Sequence, residues 1–209
     1  SAEVKPGMDT VSVCEAVCRM MKDALTALRR LKPDILIEFR QSYTGPLMRS
    51  FGNMLRSGDC PNDSYTNRLN TLALRLFCGK TPVHSDMVMW SCHEPAEIAA
   101  FQLTNVLFSV PQISVLHACI PDDHRKMVKH YLNFWKAHRR TLLEGEMFYR
   151  GYISNFSYVS SRRGDEQIGA VYAGQIAVVK VPTDRVILIN ASKDTTLLIE
   201  GLQGDYSLQ

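Results

Sequence analysis

The chain has 209 residues, 45% of them hydrophobic and 22% charged, with a formal net charge of +3. This is an ordinary globular composition, long enough for one or two cores. So small a positive excess, with no row of Lys and Arg interleaved with aromatics, excludes nucleic acid as the implied partner. No run of about 18 apolar residues is present to span a bilayer and no charged-then-apolar leader opens the chain, which excludes membrane insertion and leads us to expect a soluble, cytoplasmic protein.

Residues 9–31 place Val13, Ala16, Val17, Met20, Met21, Ala24, Leu25 and Leu28 at helical spacing. Pro33 stops that helix, because proline biases the residue before it away from helical angles. Residues 34–41, Asp-Ile-Leu-Ile-Glu-Phe-Arg-Gln, read as a strand with a continuous apolar run. A second, very short strand at Met54–Arg56 precedes a helix over 64–77. A third strand signal lies in 83–90 and is followed by a helix over 96–108 that Pro95 opens. A fourth lies at 113–117, before a long helix from Pro121 to about Leu143 that Gly145 ends. Strands alternating with helices predict parallel strands joined by right-handed crossovers. No glycine-rich phosphate loop follows any of these strands, which disfavours a nucleotide-binding sheet.

After about Glu146 the texture changes. Tyr149, Tyr152, Phe156 and Tyr158 lead into the segments 168–172, 175–181, 184–190 and 195–199, which are short, β-rich and separated by Gly, Pro, Asn, Asp or Ser. An antiparallel sandwich-like module is expected there. The domain boundary is set near Gly145, dividing 1–145 from 146–209.

Six cysteines, at positions 14, 18, 60, 78, 92 and 119, show no CxxC pair and no framework spacing. They read as reduced thiols, with neither metal nor cofactor implied. The chemistry concentrates in Arg56-Ser-Gly-Asp-Cys-Pro-Asn-Asp-Ser-Tyr-Thr-Asn-Arg68, a strand end, loop and helix start that gathers two carboxylates and two guanidinium groups. Polar residues at strand carboxyl ends are where parallel α/β proteins keep their sites. Glu38, Asp59 and Asp86 all fall near such ends and could face a common pocket. Asp63 or Ser64 suits a helix N-cap equally well. Trp90 and Trp135 read as core.

Asp34-Ile-Leu-Ile-Glu-Phe-Arg-Gln41, Tyr43-x-Gly-Pro46, Gly52-Asn-Met-x-Arg-x-Gly-Asp-Cys-Pro-Asn-Asp63 and Asn67-Arg68 together resemble the α-galactosidases (melibiases) of glycoside hydrolase family 36. The likeness is greatest to a bacterial branch whose acid/base loop reads Gly-Asp-Cys-Pro-Asn-Asp. It implies the second half of a (β/α)8 TIM barrel, strands five to eight, followed by part of an antiparallel β-sandwich-like domain. It further implies a retaining hydrolase acting on terminal α-galactosides of the melibiose and raffinose type, with two carboxylates sharing the work. By this resemblance Asp59 is the general acid/base, and Glu38, Arg40, Arg56, Asp63, His84 and Asp86 are candidate sugar-binding residues. Arg40 and Arg56 would serve sugar hydroxyls or an ion pair, and His84 and His117 a site mouth or a structural role. Asn67 and Arg68 belong to the same pattern and would otherwise tie the helix back to the loop. The family's nucleophile stands in a Lys-Trp-Asp-like or Val-Asp-Phe-like motif that this chain lacks, so the chain reads as a fragment, inactive alone, whose open strand edge invites a homo-oligomer. A raffinose-synthase-like transferase and a non-catalytic carbohydrate-binding module are the alternatives.

Overall fold

The computed structural model describes residues 5–151, 153, 155–174, 176–180, 183–205 and 207. Tyr152 and the ends of the 175–181 strand signal, Gln175 and Val181, lie outside the described residues. The chain forms two compact units, residues 1–55 and 56–209.

In the first unit, Ser12 caps α1 (Val13–Leu31) by accepting from the Glu15 backbone N–H at 3.3 Å. The last helical bond runs from Lys32 N–H to the Leu28 carbonyl, just ahead of Pro33. No residue of α1 is buried, and Val13, Val17, Met20 and Leu28 are exposed. Strand β1 (Glu38–Arg40) is shorter than the expected 34–41. Asn53 is the reason: its Oδ1 accepts from Ile37 N–H at 2.8 Å and its Nδ2 donates to the Ile35 carbonyl at 3.0 Å, so a side chain takes the bonds that a ladder would have used. A single helical turn, α2 (Pro46–Arg49), begins on its proline. Strand β2 (Met54–Arg56) follows, its first amide donating to the Ile37 carbonyl.

The second unit carries α3 (Ser64–Cys78), β3 (Val83–Val88), α4 (Ala96–Asn105), β4 (Val110–Ile113) and α5 (Asp122–Glu144). Strands β3 and β4 run parallel with α4 as their crossover, which is the expected α/β alternation. Their register shifts between His84 and Met87. Such an irregularity breaks the two-residue alternation, and here the consecutive residues Ser85 and Asp86 are both fully buried.

The β-rich remainder has β5 (Glu146–Arg150), β6 (Tyr158–Arg163), β7 (Glu166–Val171), β8 (Ile176–Val178), β9 (Arg185–Asn190) and β10 (Leu198–Glu200). One sheet has the order β5-β6-β7-β9, and β8 pairs with β10. The expected antiparallel arrangement holds only for β5-β6-β7: β9 joins β7 in parallel and β10 joins β8 in parallel. The reason lies in the connection. After β7 the chain crosses through β8 before returning, and a return of that length can enter the sheet in the parallel sense. Gly164 turns the β6-β7 hairpin with φ +57°, and Gly169 leaves room for the Tyr158 side chain, whose hydroxyl and, at 2.9 Å, ring carbon a Cβ would meet. The Tyr158 hydroxyl donates to the Val178 carbonyl at 2.7 Å, and Gln167 Nε2 donates to the same carbonyl at 2.6 Å, so β6 and β7 together hold β8.

A core cluster contains Leu103, Leu107, Val128 and Leu142 on one side of residue 145 and Val159, Ile168 and Ala170 on the other. The chain therefore divides after Leu55, and Gly145 lies within one unit. Helix α5 needs the inner face of β6 and β7 to cover its apolar stripe, and each large side chain buried this way contributes about 1.5–3 kcal/mol. Arg75 crosses the same core. Its guanidinium donates to the carbonyls of Phe108 (2.7 Å) and Leu143 (2.7 Å) and of Leu142, and burial pushes its pKa down to about 10, so it remains charged at neutral pH.

Burial raises the pKa values of Tyr131, Tyr158 and Tyr172. The unfolded chain releases those phenolic protons near pH 10 while the folded chain retains them. The stability they supply is therefore fully present below about pH 10 and falls as pH rises beyond it, by about 1.4 kcal/mol per pH unit for each group. The Tyr131 hydroxyl has no hydrogen-bond partner among the described residues. Tyr131→Phe should leave stability near neutral pH unchanged or raised and should flatten the alkaline loss by one group's share. Urea midpoints of both proteins at about pH 8 and about pH 11 measure this, and an unchanged slope would contradict it.

Candidate functional site

The site is built where β2 ends, where β3 passes beside it and where α3 begins, all within the second unit. Ser57, directly after β2, donates its backbone N–H to the His84 carbonyl on β3 at 3.1 Å, which aligns the two strand ends. Asp86 is fully buried on β3. Burying an ionised carboxylate is costly unless both oxygens are engaged. Here Oδ1 meets Arg56 Nη1 at 2.6 Å and Oδ2 accepts the Cys60 backbone N–H at 2.5 Å. Asn67, one turn into α3, brackets the Asp86 backbone from the other side: its Oδ1 accepts Asp86 N–H at 3.0 Å and its Nδ2 donates to the Asp86 carbonyl at 3.2 Å. One residue of β3 thereby holds a strand end, a loop and a helix start.

Asp59 projects from the loop so pinned. Its side chain is 56% exposed, and its Oδ1 lies 3.5 Å from Arg56 Nη2. The Arg56 guanidinium spans the two carboxylates, with one nitrogen on the buried Asp86 and another facing the exposed Asp59. A planar fork with donors on both sides is suited to this, which a lysine could not do with the same geometry.

Asp63 is the N-cap of α3, its carboxylate accepting from Thr66 N–H at 2.9 Å, and that hydrogen bond lowers its pKa. The capping role weighed for this residue is the one observed, and the helix end engages the carboxylate offered to a sugar. His84 is half-buried on β3, two residues before Asp86. Asp86 itself, taken as a substrate ligand from its place near a strand end, is corrected by its burial: both oxygens face protein groups, and solvent does not reach it. Glu38 and Arg40 stand exposed on β1 in the first unit. The structure thus brings together Arg56, Asp59 and Asp86 from the sequence-derived set.

Two residues carry more of this region than their place in the sequence pattern indicated. Asn67 is the brace just described. Arg68, also buried, donates to Asn105 Oδ1 at 2.5 Å and to the Asn155 carbonyl at 3.4 Å, and its guanidinium lies 4.1 Å from the Tyr172 ring centroid and 5.3 Å from that of Tyr65. The signal that could have found them is their position: a polar pair set into a helix face continued by Leu72 and Leu74, where only a bonded amide or guanidinium is tolerated. Cys60 is buried beside Ser57, with its Sγ 3.7 Å from the Ser57 hydroxyl, and burial pushes its thiol pKa up, away from nucleophilic character. Trp90 and Trp135 donate to His124 Nδ1 and to the Ser109 carbonyl, both at 3.1 Å.

Cavities in this unit include one of about 270 Å3 beside His117 and α5 and one of about 730 Å3 beside α3, and Asp59 lines neither of these. Among the described residues no group of three or more His, Cys, Asp or Glu side chains is placed to hold a metal ion, and no helix is long and apolar enough to cross a membrane.

The two aspartates should separate cleanly in stability. Asp86→Asn removes one partner of a buried pair and should cost about 3 kcal/mol or more, while Asp59→Asn, at an exposed position, should stay within about 0.5 kcal/mol of the parent. Chemical denaturation of the two variants checks this, and equal costs would refute the division of roles. Comparison of the chain with protein-family models, curated proteins and solved structures found no match.

Proposed function

We propose that the chain is a portion of a retaining glycoside hydrolase that cleaves terminal α-galactosides of the melibiose and raffinose type, with Asp59 as the proton donor. The observation that carries this reading is the division of labour around Arg56. One carboxylate, Asp86, is buried with both oxygens engaged, and another, Asp59, is held at the surface by the same guanidinium directly beyond the carboxyl end of a strand. A general acid that must hand its proton to a glycosidic oxygen has to be exposed yet fixed in place. The strand and helix alternation through β1 to β4, with β3 and β4 parallel, supports strands five to eight of a (β/α)8 wall, whose catalytic groups stand at strand carboxyl ends.

In this mechanism Asp59 protonates the leaving oxygen as the anomeric bond breaks, then takes a proton from the water that releases the sugar. Arg56 orients Asp59, and Asp86 orients Arg56. The attacking carboxylate is assigned to an earlier strand, in the motif absent from this sequence; Asp86 cannot take that part because both its oxygens are occupied and no solvent reaches it. None of the six cysteines forms a disulfide among the described residues, which supports a reducing, cytoplasmic setting.

The test joins the chain to its upstream coding region and follows hydrolysis of aryl α-galactosides. Asp59→Asn should lower kcat/KM by about 10²–10⁴-fold on substrates whose leaving group needs protonation, and much less on an activated nitrophenyl substrate, for which slowed release of the sugar lowers kcat instead. Proton NMR should find the first-formed sugar in the α configuration. Full activity in the variant on both substrate types would remove Asp59 from the mechanism.

A further inference from the structure

The 270 Å3 cavity lies away from the Arg56 cluster and is lined by His117, Arg125, Val128, Lys129, Leu132, Asn133 and Lys136. Three of those side chains are cations, a fourth is a histidine, and no carboxylate lines the wall. The placement follows from the helix. At 3.6 residues per turn Arg125, Lys129 and Lys136 fall within a sector of about 40° on α5, over a length of about 16 Å. His117, from the loop after β4, closes the end nearest Arg125. The two elements are tied together, since Arg125 Nη2 donates to the carbonyls of His117 (3.4 Å) and Ala118 (3.5 Å) while its Nη1 pairs with Asp122 at 2.7 Å. Neither Lys129 nor Lys136 has an ion-pair or hydrogen-bond partner among the described residues. Their like charges are gathered in one concavity without a neutralising group.

We propose that this concavity binds a small dianion of the phosphate-monoester class. Charge supports the class. The three cations of the wall, less the one that Asp122 offsets, leave about two positive charges, and a phosphate monoester carries about −1.5 to −2 near neutral pH. Lysine ammonium groups on flexible stems and a guanidinium fixed by carbonyls are suitable donors to such an oxyanion. Val128 and Leu132 give the organic part of the ester an apolar floor, and the Asn133 amide can meet a hydroxyl. The volume lies just below the roughly 300–1,000 Å3 typical of ligand sites, which favours a small soluble molecule over a macromolecular segment. The site is independent of the glycosidase reading and shares with it only His117, offered there for a site mouth.

The experiment titrates inorganic phosphate and a hexose phosphate into the protein at constant ionic strength, with amide and side-chain shifts read by NMR and chloride as the non-specific comparison. Saturable shifts confined to residues 117–136 are expected, with the hexose phosphate binding more tightly than phosphate. The double variant Lys129→Gln/Lys136→Gln should weaken binding by about tenfold or more, whereas Lys80→Gln/Lys193→Gln, which removes two exposed cations elsewhere, should not change it. All four substitutions are at exposed positions, and circular dichroism establishes that both variants fold. Unsaturable shifts, equal weakening by the two double variants, or equal competition by chloride would overturn the proposal. A third arm adds vesicles containing phosphatidic acid: cosedimentation tighter than binding of the soluble esters would assign the charge to a membrane surface and overturn the small-molecule site.

Discussion

A carboxylate with no access to water governs the centre of the second unit. A buried carboxyl group is costly unless both oxygens are engaged, and the protein engages Asp86 with the Arg56 guanidinium on one oxygen and the Cys60 backbone N–H on the other. Those two bonds fix the direction in which the chain leaves β2 and the shape of the loop that follows. Asn67 adds the third constraint by pairing both backbone groups of Asp86 from the first turn of α3. Asp59, the exposed member, is flanked by Arg56 and Cys60, both bonded to the buried Asp86. A solvent-facing carboxylate on a loop would otherwise sample many rotamers, and ordering it would cost side-chain entropy.

Two further guanidinium groups show the same logic applied to the core. Neither Arg68 nor Arg75 pairs with a carboxylate among the described residues. Arg75 instead satisfies carbonyls where α4 has just ended and where α5 is ending, groups that a helix leaves without internal partners. Arg68 lies between the Tyr65 and Tyr172 rings, and Tyr172 in turn donates to the Thr104 carbonyl at 2.9 Å. These contacts link α3 and α4 to the residues just after β7. The β-rich remainder is thereby fastened to the helices by polar groups as well as by the apolar cluster that continues across residue 145.

The second unit thus presents two chemically different surfaces. One is a strand-end cluster in which the Arg56 guanidinium matches both the buried Asp86 and the exposed Asp59. The other is a concavity on α5 where cations are gathered and two of them, Lys129 and Lys136, are left unmatched among the described residues. Matched charges hold a geometry, which is what a proton donor needs. Unmatched charges leave binding capacity in reserve, which is what an anion site needs.

Much of the secondary structure was legible in the residues. Helical spacing located α1, α3, α4 and α5, prolines marked the starts of α4 and α5, and a proline ended α1, because local sterics and periodicity decide such features within a few residues. The parallel sense of β3 and β4 also followed, since a helix must intervene between them. The site was legible only as a list. Asp59 and Asp86 are equivalent by residue type and by place near a strand end, yet a register shift in β3 buries one completely while the other stays exposed. The length of β1 turned on Asn53, more than ten residues away, and the direction of β9 on a crossover that no local pattern encodes. Short-range propensities thus located the helices, while strand limits shifted, as with β4, expected at 113–117 and found at Val110–Ile113. Long-range packing alone decided which carboxylate met a partner out of water, because burial is a property of what lies across the fold and not of the residue's own neighbours in the chain.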